Sequence, residues 1–83
     1  MKDRIIKLDN ETTYYVLEKI KLNEKIYVLL AQYDMQKDIM DTENLIVKEL
    51  YKENDALKVK EIGTNELASR VTMELINKYR MES

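Results

Sequence analysis

The stretch Tyr14–Tyr33, YYVLEKIKLNEKIYVLLAQY, decides the fold. It contains two apolar segments joined by Asn23-Glu24. In the first, Thr13–Leu22, the residues Tyr14, Val16, Ile20 and Leu22 share one parity, with Glu18, Lys19 and Lys21 interspersed. Such alternation predicts a half-buried strand. The second, Lys25–Tyr33, is nearly continuous through Ile26, Tyr27, Val28, Leu29, Leu30 and Ala31. A short unbroken apolar run predicts a strand covered on both faces. β-Branched and aromatic residues favour strand over helix in both segments. Asn tolerates positive φ and suits a tight turn, whereas Glu24 in place of glycine makes a two-residue turn imperfect. The reading is a central hairpin whose second strand lies mid-sheet. One face of that strand lies under a helix, and the other under the Met35–Met40 segment or a second subunit.

Outward from the hairpin, Arg4–Leu8 (RIIKL) predicts a short strand, and Asp9-Asn10-Glu11 a turn. After the hairpin, Asp34–Thr42 (DMQKDIMDT) has no clear period and exceeds the usual hairpin loop length. It reads as a loop, either mobile or functional, in which Met35, Ile39 and Met40 form a small apolar cluster or a single helical turn. Glu43–Lys52 (ENLIVKELYK) admits a helix, since Glu, Lys and Leu are good helix formers, but reads as a fourth strand on the strength of Ile46, Val47 and Tyr51. Glu53-Asn54-Asp55 is the next turn. Ala56–Ile62 (ALKVKEI) alternates, with Leu57 and Val59 expected inward and Lys58 and Lys60 outward.

Gly63 closes that segment and Thr64 has the character of a helix N-cap, with Glu66 in the first turn. The helix extends to about Arg80, because Leu67, Ala68, Val71, Leu75, Ile76 and Tyr79 recur on one face. The expected fold class is α+β: one domain over residues 1–83, a mostly antiparallel sheet of about five strands in the order βββββα, and one amphipathic C-terminal helix on a sheet face.

The stretches Tyr14–Asp34, Asn44–Leu50 and Leu57–Val71 (YYVLEKIKLNEKIYVLLAQYD, NLIVKEL and LKVKEIGTNELASRV) together resemble a family of small bacterial proteins, domain of unknown function number 1292. The shared pattern is an apolar strand, a short turn, a strand of the form Lys-x-Tyr-x-Leu-Leu, a variable loop, a Val/Ile/Leu-rich strand, a hairpin and a helix. This chain departs from it in carrying Asn23-Glu24 where an Asp-Gly-like turn is usual, and in being less acidic. The resemblance implies the same sheet-plus-helix fold and no activity.

Composition narrows the chemistry. The 83 residues include no cysteine, histidine or proline and one glycine. Thiol chemistry, disulfides and glycine-rich phosphate loops are therefore excluded, and the commonest general base is missing. Ser69 and Ser83 have no histidine to activate them. Asp34, Asp38, Asp41 and Glu43 have oxygens suited to acid–base work or a hard cation, but they lack the ordered spacing and central glycine of a calcium loop. They are read as solvated charges. No catalytic, cofactor-binding or metal-binding residue is assigned.

The net charge of −2 is spread with both signs interleaved, which reads against nucleic acid as a partner. No apolar run is long enough to span a membrane, and Met1–Ile5 lacks the apolar core of a signal peptide. The expected setting is the cytoplasm of a bacterium, or a phage. Six tyrosines supply all the aromatic surface. Tyr14 and Tyr15 are adjacent on a strand and so point to opposite faces. The tyrosines serve either ordinary cross-strand packing or a protein contact, where tyrosine is enriched. The candidate interface comprises Tyr15, Tyr33, Met35, Ile39, Met40, Tyr51 and Met73. The expected role is a non-enzymatic interaction module, such as a small regulator or a phage-encoded inhibitor of a host protein. A self-associating homodimer is the alternative.

Overall fold

The computed structural model describes residues 5–8 and 12–82, without the side chain of residue 82. Five strands, β1 (Ile5–Lys7), β2 (Thr13–Leu22), β3 (Lys25–Asp34), β4 (Ile39–Glu53) and β5 (Ala56–Lys60), precede one helix, α1 (Asn65–Glu82). All neighbouring strands are antiparallel, and their order in the sheet is their order in the chain. The expected α+β fold is therefore present, with β3 in the middle. The turn expected at Asp9-Asn10-Glu11 lies outside the described residues.

β3 is central because both its parities are apolar. Tyr27, Leu29 and Ala31 point towards α1, where they pack with Leu17, Val71 and Leu75. Val28 and Leu30 point the other way and are fully buried. Val16 and Ile46 flank Leu30 across the ladder. Ile6, Val16, Val28 and Leu50 line a hollow of about 330 Å³. The Met35–Met40 segment does not cover this face, contrary to one of the two expectations. Met35 and Ile39 are themselves exposed.

The alternation in β2 is not continuous. Val16 pairs with Leu30, and Glu18 pairs with Leu29, so Leu17 is an extra residue at a bulge. Tyr14 and Val16 consequently lie on the far face, whereas Ile20 and Leu22 pack towards the helix. Four residues that share a parity in the sequence are divided between two faces. The bulge adds Leu17 to the core without disturbing either half of the strand.

β4 begins at Ile39, earlier than expected. The Asp34–Thr42 loop resolves into a turn at residues 35–38 followed by strand, because Ile39, Met40 and Asp41 pair with Asp34, Tyr33 and Gln32. Between Asp41 and Ile46, the residues Thr42 to Leu45 stand opposite Ala31 alone. That wide bulge breaks the alternation and hides the strand from periodicity. Beyond it, β5 pairs only with Glu49–Glu53. Among the described residues, the outer edge of β4 before Glu49 has no strand neighbour.

β5 ends at Lys60 rather than Ile62, and Ile62 packs against the core. Its facing also differs from expectation. Lys58 and Lys60 share the helix side with Glu49, while Leu57 and Val59 are half-buried on the far face beside Lys52 and Leu50. The helix lies chiefly over β2 and β3. The helix-side surface at β5 is thus left to charged groups: Lys60 pairs with Glu49 at 3.6 Å, and Lys58 with Glu53 at 3.1 Å.

The β2–β3 and β4–β5 turns place two consecutive residues at positive φ: Asn23 (52°) and Glu24 (67°), then Asn54 (51°) and Asp55 (66°). This twist matches the flanking strands. Residues other than glycine adopt it at a cost of about 1–2 kcal/mol, with Asn and Asp at the lower end. Glu24→Gly is therefore expected to stabilise the protein by about 0.5–1 kcal/mol, net of the extra chain entropy of glycine. Thermal melting should show a rise of a few degrees; a fall would refute the turn assignment.

Helix α1 begins as expected. The Thr64 hydroxyl accepts the Leu67 N–H at 3.2 Å, and the Thr64 carbonyl accepts the Ala68 N–H at 2.9 Å. Val71 and Leu75 are fully buried, while Leu67 and Ile76 are half-buried. Near its far end Lys78 reaches β2, donating to the Lys19 carbonyl at 2.9 Å and lying 3.4 Å from the Glu18 carboxylate. No helix among the described residues is long and apolar enough to cross a membrane.

Candidate functional site

The β3–β4 turn gathers most of the candidate interface residues at one end of the sheet. Tyr33 pairs with Met40 across the hairpin. Its ring lies against that of Tyr15, with centroids 6.4 Å apart and planes inclined at 51°. Tyr15 and Met40 continue into the core. Met35 and Ile39 do the opposite: they are 65% and 59% exposed. An open cleft of about 660 Å³ runs past Thr12, Thr13, Gln32, Tyr33, Asp34, Met35, Gln36, Lys37, Ile39 and Asp41. The cleft thus has one aromatic side chain, Tyr33, and two exposed aliphatic side chains in its lining.

The carboxylates of this hairpin are held by neighbouring backbone and side-chain donors. Asp34 accepts the Gln36 and Lys37 N–H groups at 3.0 and 3.2 Å, which closes the turn. Asp38, at φ 54°, accepts the Tyr33 hydroxyl. That hydrogen bond, reinforced by burial and by the charges of Asp38 and Asp34, raises the Tyr33 pKa. Tyr33 is consequently held as a protonated donor to Asp38. Asp41 accepts the Asn44 side-chain amide and the Glu43 N–H, each at 3.1 Å. These bonds hold the wide bulge of β4 and lower the Asp41 pKa. Among the described residues, no three carboxylates converge on a point where they would share a metal ion.

No family model, curated protein or solved structure matches this chain.

Two candidate residues lie elsewhere. Tyr51 sits on β4 near the opposite end, with the Lys60 ammonium 5.2 Å from its ring centroid. Met73 is exposed on the outer face of α1. The sequence reading missed parts of the cleft, namely Thr12, Thr13 and Gln32, whereas Asp34 and Asp41 are among the carboxylates it read as solvated charges. Strand register alone brings these together, since Tyr14 pairs with Gln32 and Gln32 with Asp41. The turn signal of Asp34, with N–H groups two and three residues on, was the one local clue.

Asp41 sets a pH dependence. Its folded pKa is below the ordinary value of 3.8, so its contribution is complete above that value and is lost as pH falls through the folded pKa. Asp41→Ala is expected to melt below the parent at neutral pH, with the gap closing as pH falls below about 4. A gap that persists in acid would show that the carboxylate charge is not what holds the bulge.

Proposed function

We propose that this chain is a non-enzymatic protein-interaction module that acts as a small cytoplasmic regulator, of the kind a phage encodes to inhibit a host protein. The observation that carries this reading is the exposure of Met35 and Ile39 in one open cleft that Tyr33 also lines. Burying an aliphatic side chain of this size is worth about 1.5–3 kcal/mol, which a docked partner recovers. The commitment of Asp34, Asp38 and Asp41 to turn and bulge hydrogen bonds supports a binding role over acid–base chemistry.

The test is capture of partners by tagged protein, compared with the neutral variant Met35→Gln/Ile39→Thr. The parent should retain proteins that the variant loses by tenfold or more, while both melt alike. Identical captured sets would count decisively against this surface.

A homodimer is the second reading, favoured by Met73 and Met81, which are both exposed on α1. Light scattering decides it: a monomer at high concentration removes this reading.

A further inference from the structure

Charge around the cleft is distributed unlike charge on the rest of the protein. Glu18, Glu49, Glu53, Glu61 and Glu74 each lie against a lysine or arginine. Between Asp34 and Glu43, four carboxylates accompany a single lysine, in a chain whose whole net charge is −2; Asp34, Asp41 and that lysine, Lys37, line the cleft, and Asp38 and Glu43 belong to the same hairpin beside it. Among the described residues, none of these four carboxylates is in an ion pair. Glu24, Asp55 and Glu66 also lack a paired cation, but each stands singly at a turn or a helix start. Uncompensated negative charge is therefore concentrated at the end of the sheet where Met35 and Ile39 are exposed.

We infer that this cleft docks a cationic amphipathic segment of a partner protein, one that alternates lysine or arginine with aliphatic side chains. The inference rests on the interaction reading above and specifies its partner. Neutral donors, namely backbone N–H groups, the Tyr33 hydroxyl and the Asn44 amide, orient Asp34, Asp38 and Asp41 without cancelling their charge. The carboxylates are thus fixed before binding, which reduces the entropy lost on association. Complementary charge speeds encounter and selects the partner, while Met35 and Ile39 provide apolar area. A bare cation would use the first feature and leave the second in water.

The probes are a short synthetic peptide alternating lysine and leucine, its counterpart alternating glutamate and leucine, and spermine. Each is titrated into the isotope-labelled full chain and followed by amide chemical shifts. The lysine–leucine peptide should perturb Gln32–Asp41, and its affinity should fall about tenfold between about 50 and about 500 mM NaCl. Met35→Gln/Ile39→Thr should weaken it about tenfold, and Met73→Gln should leave it unchanged. Asp34→Asn, whose amide oxygen still accepts the turn N–H groups, should weaken it severalfold. The inference is overturned if this peptide does not bind, if the glutamate peptide or spermine binds as well, or if Met73→Gln weakens binding equally. If the lysine–leucine peptide fails while lysate capture still depends on Met35 and Ile39, the cationic partner is wrong and the interaction reading stands. If capture ignores those residues, the reading itself falls.

Discussion

Leu75→Ala is expected to destabilise the protein by about 3 kcal/mol, within the usual 2–5 kcal/mol for a buried leucine. Leu75 is fully buried and, with Val71, fills the space between α1 and Leu17, Tyr27 and Leu29. Among the described residues a single helix covers this face, and no other element there is placed to collapse into the cavity. For a domain this small the loss corresponds to a melting temperature lower by on the order of 15 °C. It also removes a large part of a total stability that is modest at this chain length. Met81→Ala, at a side chain 87% exposed on the same helix, is the control and should stay within about 0.5 kcal/mol. Equal effects at the two positions would mean that the helix does not dock as described.

Lys78→Met is the second large effect expected. The ammonium is half exposed, whereas the Glu18 side chain beside it is 8% exposed. Removing the cation withdraws its charge from a nearly buried carboxylate and its hydrogen bond from the Lys19 carbonyl. A fully buried pair broken in this way costs about 3–5 kcal/mol. Water reaches the Lys78 position, so about 1–2 kcal/mol is expected, or a melting temperature lower by about 5–15 °C. Glu18→Gln in the Lys78→Met background should recover part of the loss, because a neutral amide is less costly to leave there. An additive double mutant would show that the two side chains act independently. The pair is also placed to set the helix angle, since Lys78 contacts β2 directly after the bulge at Leu17.

The parts of the fold readable in the chain are those set by near neighbours. The apolar run at Ile26–Ala31 has no polar parity, so it belongs mid-sheet whatever surrounds it. Asn23-Glu24 and Asn54-Asp55 mark turns because Asn and Asp tolerate positive φ. Thr64 followed by an apolar face at helical spacing marks α1. Five of the seven candidate interface residues come together for a similar reason, since Tyr33, Met35, Ile39 and Met40 all belong to one hairpin and Tyr15 lies beside it. Tyr51 and Met73 lie apart, because residue type says nothing of which end or face a side chain occupies.

What local chemistry settles, then, is the number and kind of elements and the central place of β3. What the tertiary structure alone settles is facing. The inserted Leu17 divides Tyr14 and Val16 from Ile20 and Leu22, although their spacing in the chain looks unbroken. The Thr42–Leu45 bulge conceals the first part of β4. The landing of α1 over β2 and β3 turns Lys58 and Lys60 towards the same side as the helix. The physical reason is common to the two bulges. A strand has a side-chain period of two, so one extra residue reverses every side chain beyond it. Whether that residue is absorbed as a bulge depends on packing between segments distant in the chain, which no local pattern records.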